Sequence, residues 1–147
     1  MSAGRAMEAH SLPAVLDSLA DIRRFVKAAA FKAGIEDAKA YQLQLAVDEI
    51  ATNIVLYGYK DAGKDAVISM SAEVTGDELV VTLKDQSPPF DPRTMQLPEA
   101  QNLTRPLEER NVGGLGIFLA FQGVDRYEYR HEDDSNVNVF VVQIRHD

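Results

Sequence analysis

The sequence predicts an α+β fold, a two-layer sandwich in which a mixed, mostly antiparallel sheet carries helices on one face. Three observations predict it. Two long segments in the first half space their apolar residues as helices do; two later pairs of segments alternate apolar and polar residues across short turns; and a proline-rich stretch with neither period separates those pairs. At 147 residues, 46% of them hydrophobic, the chain fits a single domain over residues 1–147, with residues 1–10 as an N-terminal extension.

A short strand is expected near residues 8–12, followed by a first helix over residues 13–32. Val15, Leu19, Ile22, Val26 and Ala29 supply its apolar stripe, Pro13 suits a first turn that needs no amide donor, and Gly34 ends it. Glu36 and Asp37 then place negative charge at the start of a second helix, which runs to about Tyr57 with Gly58 as its C-terminal cap. Leu43, Val47, Ile50 and Ile54 form its apolar stripe. Glu49, Asn53 and Tyr57 follow one another along a different stripe, so a carboxylate, an amide and a phenol stand in one row. Such a row fits a site, and it also fits an ordinary exposed helix face.

After a turn at residues 59–65, Val67, Ser69, Ser71 and Glu73 alternate with Ile68, Met70, Ala72 and Val74. The chain turns at Thr75-Gly76-Asp77 and returns over residues 78–85 as a hairpin. A second hairpin is expected from residues 125–131 and 136–145, joined by Glu132-Asp133-Asp134-Ser135. The core should join Val15, Leu19, Ile22, Val26, Val47, Ile50 and Ile54 to Ile68, Met70, Val80, Leu83, Val139 and Val141. Between the hairpins, residues 87–112 hold Pro88, Pro89, Pro92, Pro98 and Pro106. A connection of about 25 residues inside a compact domain suggests a lid or a binding loop. Gly113-Gly114-Leu115-Gly116 then opens a short apolar helix from Ile117 to about Gln122.

The balance of 15 Lys and Arg against 23 Asp and Glu, a net charge of −8, argues against a nucleic-acid surface and for a protein partner or small ligand. The absence of cysteine excludes a disulfide, a thiol nucleophile or a zinc–thiolate site, and fits a reducing compartment. No apolar run approaches the roughly 20 residues of a membrane span, and MSAGRAMEAH lacks the apolar segment of a signal peptide. A cytoplasmic protein that does not engage a membrane is expected.

Four stretches invite a chemical reading. GYKDAGK at residues 58–64 matches the glycine and lysine spacing of a P-loop, but Asp65 stands where Ser or Thr must hold Mg²⁺, and the segment runs from helix to strand instead of strand to helix. It reads as a connecting turn. Asp85-Gln86-Ser87-Pro88-Pro89-Phe90-Asp91 leaves the end of a strand; a carboxylate there needs a donor, such as the exocyclic amino group of adenine, and small Ser87 lets a flat ring approach. The same residues also fit a strand leaving its sheet through a turn capped by Asp85. Gly113-Gly114-Leu115-Gly116 bares backbone amides toward phosphate oxygens at a helix N-terminus, or serves as a simple turn. His131 beside Glu132, Asp133 and Asp134 reads as a solvated hairpin turn and not as a metal site.

Glu-x3-Asn on a helix, Asp-x-small-x-Pro-Phe-Asp after a hairpin, a proline-rich lid and Gly-Gly-Leu-Gly before a helix have the order and spacing of a Bergerat-type ATP site. The chain resembles the anti-sigma factor serine/threonine kinase branch of the GHKL, histidine-kinase-like ATPases. The likeness runs from about Leu12 to Ile144 and includes PFDP at residues 89–92 and PLEERNVGGLGIFLA at residues 106–120. The resemblance implies that Glu49 is the base for an attacking hydroxyl and that Asn53 is a Mg²⁺ ligand. It further implies that Asp85 binds the adenine amino group of ATP or ADP, with Ser87 at the position of the usual glycine. Gly113, Gly114, Leu115 and Gly116 would wrap the triphosphate beneath a lid at residues 87–112. Tyr57 stands where many relatives have histidine. Arg105 and Arg110 lie on the lid, and the sequence leaves open whether they reach the phosphates.

The activity so implied is transfer of a phosphoryl group from ATP to a Ser or Thr hydroxyl of a small STAS-type anti-anti-sigma protein, alternating with binding of a sigma factor. Relatives commonly form homodimers. The alternative, to which Ser87 and Tyr57 point, is a nucleotide-binding anti-sigma or adaptor module with little or no kinase activity. A sensor histidine kinase fits less well, because His10, His131 and His146 show no phosphoacceptor context and no dimerising helical hairpin precedes the site.

Overall fold

The computed structural model describes residues 5–58, 66–89, 91–92 and 121–144, and of residues 5–8 and 57–58 the backbone alone. Its elements run β1 (Arg5–Pro13), α1 (Ser18–Ala33), α2 (Asp37–Asn53), a π-helical turn (Ile54–Gly58), β2 (Val67–Thr75), β3 (Glu78–Asp85), β4 (Arg126–Glu132) and β5 (Ser135–Gln143). The strands form one five-stranded sheet in the order β1-β2-β3-β5-β4, and every neighbouring pair is antiparallel. Both helices pack on one face of it, the expected α+β sandwich. The 59–65 turn, most of the 87–112 stretch and the start of the helix after Gly116 lie outside the described residues.

Period-two alternation decides which residues meet the helices. Ile68, Met70 and Ala72 from β2, Leu79, Val81 and Leu83 from β3, and Phe140 and Val142 from β5 enter the core with Leu19, Ile22, Val26, Leu43, Val47, Ile50 and Ile54. This corrects the expected strand core at Val80 and Val139, and places Val141, which is fully buried, on the other face of the sheet. Val80, Val139 and Val141 belong to the opposite face, one residue out of register with Leu83 and Phe140; ELVVTL and VNVFVV are apolar on both faces, so period alone does not assign the side. On that opposite face, β4 presents Arg126, Glu128, Arg130 and Glu132 to solvent, with Arg126 bonded to Glu78 and Glu128, and Arg130 to Glu132.

The first helix begins later than expected. Pro13 is the last residue of β1, paired with Val67, and Ala14 N still donates to Ala66 O at 2.9 Å. Pro13 suits a strand end as well as a helix start, because neither position needs its missing N–H. Val15 therefore precedes α1 and is 48% exposed instead of buried. Gly34 ends α1 as expected, in the left-handed region at φ 77°. The second helix changes its hydrogen bonding after Asn53, so the segment leading to Gly58 is a π turn and not a continued α-helix. The Gly76-Asp77 and Asp133-Asp134 turns close the hairpins, Asp133 and Asp134 both with positive φ, at 53° and 61°.

Candidate functional site

Two groups of predicted residues are held by different elements. On α2, a carboxylate and an amide one turn apart share one face, and Asn53 Nδ2 donates to the Glu49 carbonyl oxygen at 2.9 Å. That bond uses one of the amide's two N–H donors and leaves the acceptor capacity of its side-chain oxygen unused by it. Glu49 is half-buried; this burial pushes its carboxyl above the ordinary glutamate value, and the adjacent Asp48 charge pushes it further the same way. Asp48 is itself paired with Arg23 of α1, Nε to Oδ1, at 2.8 Å.

The second group stands at the end of β3, on the helix-facing side of the sheet. Asp85 follows Leu79, Val81 and Leu83 in the inward series and is 3% exposed. Its Oδ1 accepts from Ser87 N at 2.9 Å, from Ser87 Oγ, and from Asn136 Nδ2 at 3.1 Å. Oδ2 has no hydrogen-bond partner among the described residues. A buried carboxylate oxygen left bare is destabilising. Asp85 thus caps the turn through Oδ1, while Oδ2 is buried without a hydrogen-bond partner among the described residues. Ser87 is buried too, and its hydroxyl folds back onto Asp85, so a serine at this position binds the carboxylate.

Asn136 and Tyr129 complete this group, and the sequence reading missed both. Asn136 lies opposite Asp85 across β3 and β5, and its Nδ2 also contacts Ser87 O at 3.0 Å, Ser87 Oγ at 3.2 Å and Pro88 O at 3.3 Å. Tyr129 donates its hydroxyl to Asn136 Oδ1, and Tyr127 donates to Asn138 Oδ1. The available signal was Tyr-x-Tyr and Asn-x-Asn facing each other across a two-residue turn, with asparagine interrupting a valine-rich buried strand.

No hydrogen bond joins the α2 pair to the β3 group among the described residues; α2 packs on β5, the strand that carries Asn136. Gly113, Gly114, Leu115 and Gly116, the lid arginines Arg105 and Arg110, and the side chain of Tyr57 lie outside the described residues. No cluster of three or more His, Asp or Glu able to hold a metal ion occurs among the described residues. A groove of about 320 Å³ lies elsewhere, between α1 and β1-β2, lined by His10, Phe25 and the bonded pair Asp21 and Arg24 among others. None of the predicted site residues that the structure describes lines it.

The profile of the histidine kinase-like ATPase domain family matches residues 12–142, nearly the whole chain. The chain belongs to the histidine kinase-like ATPase family. Within that family it is similar to proteins named serine-protein kinase RsbW. It is 26% identical over 128 residues to one from Bacillus cereus strain AH187, covering 86% of this chain and 78% of that protein. It is 32% identical over 98 residues to one from Staphylococcus aureus strain MSSA476, covering 65% of this chain and 57% of that protein. The fold matches that of the RsbU and RsbW domains of a Mycobacterium tuberculosis protein, with a TM-score of 0.60 and 14% identity over 93% of this chain and 32% of the other. It also matches the histidine kinase domain of a blue-light-activated histidine kinase from Erythrobacter litoralis, with a TM-score of 0.51 and 17% identity over 90% of this chain and 62% of the other. The sequence relatives support the RsbW-like branch of the family, and the two solved structures share the fold.

Proposed function

We propose that this protein is an ATP-dependent serine/threonine kinase that phosphorylates a STAS-type anti-anti-sigma partner and alternatively sequesters a sigma factor. The observation that carries the nucleotide half is the buried Asp85 carboxylate, whose bare Oδ2 sits where a single N–H donor would satisfy it. Adenine offers such a donor in its exocyclic amino group, whereas guanine presents an acceptor there. The names and 26% to 32% identity of the RsbW relatives support the kinase half.

Glu49, with its proton affinity raised by burial, would take the proton of a serine or threonine hydroxyl as that oxygen attacks the γ-phosphorus. The phosphorus–oxygen bond to the β-phosphate breaks, and ADP leaves. Asn53 would hold Mg²⁺ through its side-chain oxygen, together with phosphate oxygens; the ion, when bound, offsets charge developing on the transferred group. Gly113, Gly114, Leu115 and Gly116 would supply backbone amides to the phosphates beneath the 87–112 lid. Incubation with γ-labelled ATP and candidate STAS proteins tests this reading: a labelled partner supports it, and bound nucleotide with no labelled partner identifies an adaptor module instead.

A further inference from the structure

We propose that Tyr129 and Asn136 are positioning residues that set the base selectivity of this site, by fixing Asp85 so that only Oδ2 faces the ligand. The proposal rests on the reading of Asp85 as the adenine-binding carboxylate. Four groups against Asn136 Nδ2 accept hydrogen bonds there: Asp85 Oδ1, Ser87 O, Ser87 Oγ and Pro88 O. On its other side, the amide oxygen receives the Tyr129 hydroxyl. The amide therefore has one orientation, nitrogen toward β3 and oxygen toward β4.

That orientation has a chemical consequence. Reversing it would turn the amide oxygen toward the Asp85 carboxylate and two backbone carbonyls, acceptor against acceptor, in a place with little water: Asn136 is 2% exposed. Held as it is, the amide joins Ser87 in occupying Oδ1 and keeps the plane of the carboxylate fixed, so Oδ2 is the oxygen left to meet a base. Tyr129 acts one bond further back, on the amide and not on the ligand. Tyr127 is an internal control, because it makes the same kind of bond to Asn138, a residue that lies opposite Leu83 instead of Asp85.

The test compares ATP with purine riboside triphosphate, which lacks the 6-amino group, by titration calorimetry with Mg²⁺ on wild type, Tyr129→Phe and Tyr127→Phe. Wild type should prefer ATP. In Tyr129→Phe that preference should fall by about five- to tenfold while affinity for purine riboside triphosphate holds, the size expected for one hydrogen bond loosened behind the site. Tyr127→Phe should retain the wild-type preference. A purely structural role for Tyr129 would lower both affinities together and leave their ratio intact, which overturns the proposal. Equal loss of preference in both tyrosine variants overturns it too. If wild type binds neither nucleotide, the adenine reading falls and takes this inference with it; if wild type prefers ATP and Tyr129→Phe does as well, only the positioning role falls.

Discussion

Arg23 Nε donates to Asp48 Oδ1 at 2.8 Å, tying α1 to α2 one residue before Glu49. The Asp48 charge and, more strongly, burial hold the Glu49 carboxyl above its ordinary value, so the pH–rate profile of phosphotransfer should have an acid limb above that of an ordinary glutamate. Asp48→Asn removes the like charge and should move the limb down. Arg23→Ala strips the cation that offsets Asp48 and should move it up. Profiles of the three proteins with limbs that coincide would remove Glu49 from the role of base.

Replacing Glu49 by Gln should lower transfer by about 10²- to 10⁴-fold, the usual worth of a general base, with ATP affinity retained. The same variant carries a stability signature. A carboxyl whose folded value is raised binds more protons folded than unfolded across the interval between the two values; stability fully present below the unfolded value is lost as pH rises through the folded one. Glu49→Gln has no such loss, so its stability relative to wild type should increase with pH across that interval. Denaturant melts at several pH values read this directly, and a constant difference would contradict it.

The two faces of β3 make unequal demands. Leu79 is fully buried against the helices, while Val80 is half-buried on the other side. Leu79→Ala should destabilise by about 2–5 kcal/mol, whereas Val80→Ala should cost about 1 kcal/mol or less. Urea unfolding separates them; equal losses would contradict the unequal burial of the two faces, and a larger loss at Val80 would mean that the strand is misassigned by one residue.

Much of this architecture was legible in the sequence because period reports element type. Ile22, Val26, Val47, Ile50, Ile68 and Met70 are all buried as their spacing requires. The side faced by a valine-rich strand was not legible, since Val80 and Val141 are as apolar as Val81 and Val142. Pro13 misled for a related reason: a residue without an N–H suits either a strand end or a first helical turn. Asp85 and Ser87 could be picked out from their place at a strand end, but Asn136 and Tyr129 depend on two cross-strand registers, β3 with β5 and β4 with β5, that the spacing does not give. The π turn after Asn53 has no sequence period of its own.

That turn is a place where stability can be gained. Asp133 and Asp134 both hold positive φ, a region that aspartate occupies more readily than most residues but that asparagine and above all glycine occupy at less cost. The double substitution Asp133→Asn with Asp134→Gly should stabilise the protein by about 1 kcal/mol without altering nucleotide affinity. Thermal melts with and without ATP check both parts, and an unchanged or lower midpoint would argue against strain in this turn.

The most direct measurement is titration of Mg²⁺ with ATP, and separately with GTP, into wild type and Asp85→Asn. A carboxylate whose free Oδ2 accepts the adenine amino group predicts saturable ATP binding to wild type, much weaker GTP binding, and an ATP affinity reduced by about 10- to 100-fold in Asp85→Asn. Absence of heat with ATP, or equal ATP affinity in the two proteins, would contradict the assignment of Asp85 as the adenine acceptor.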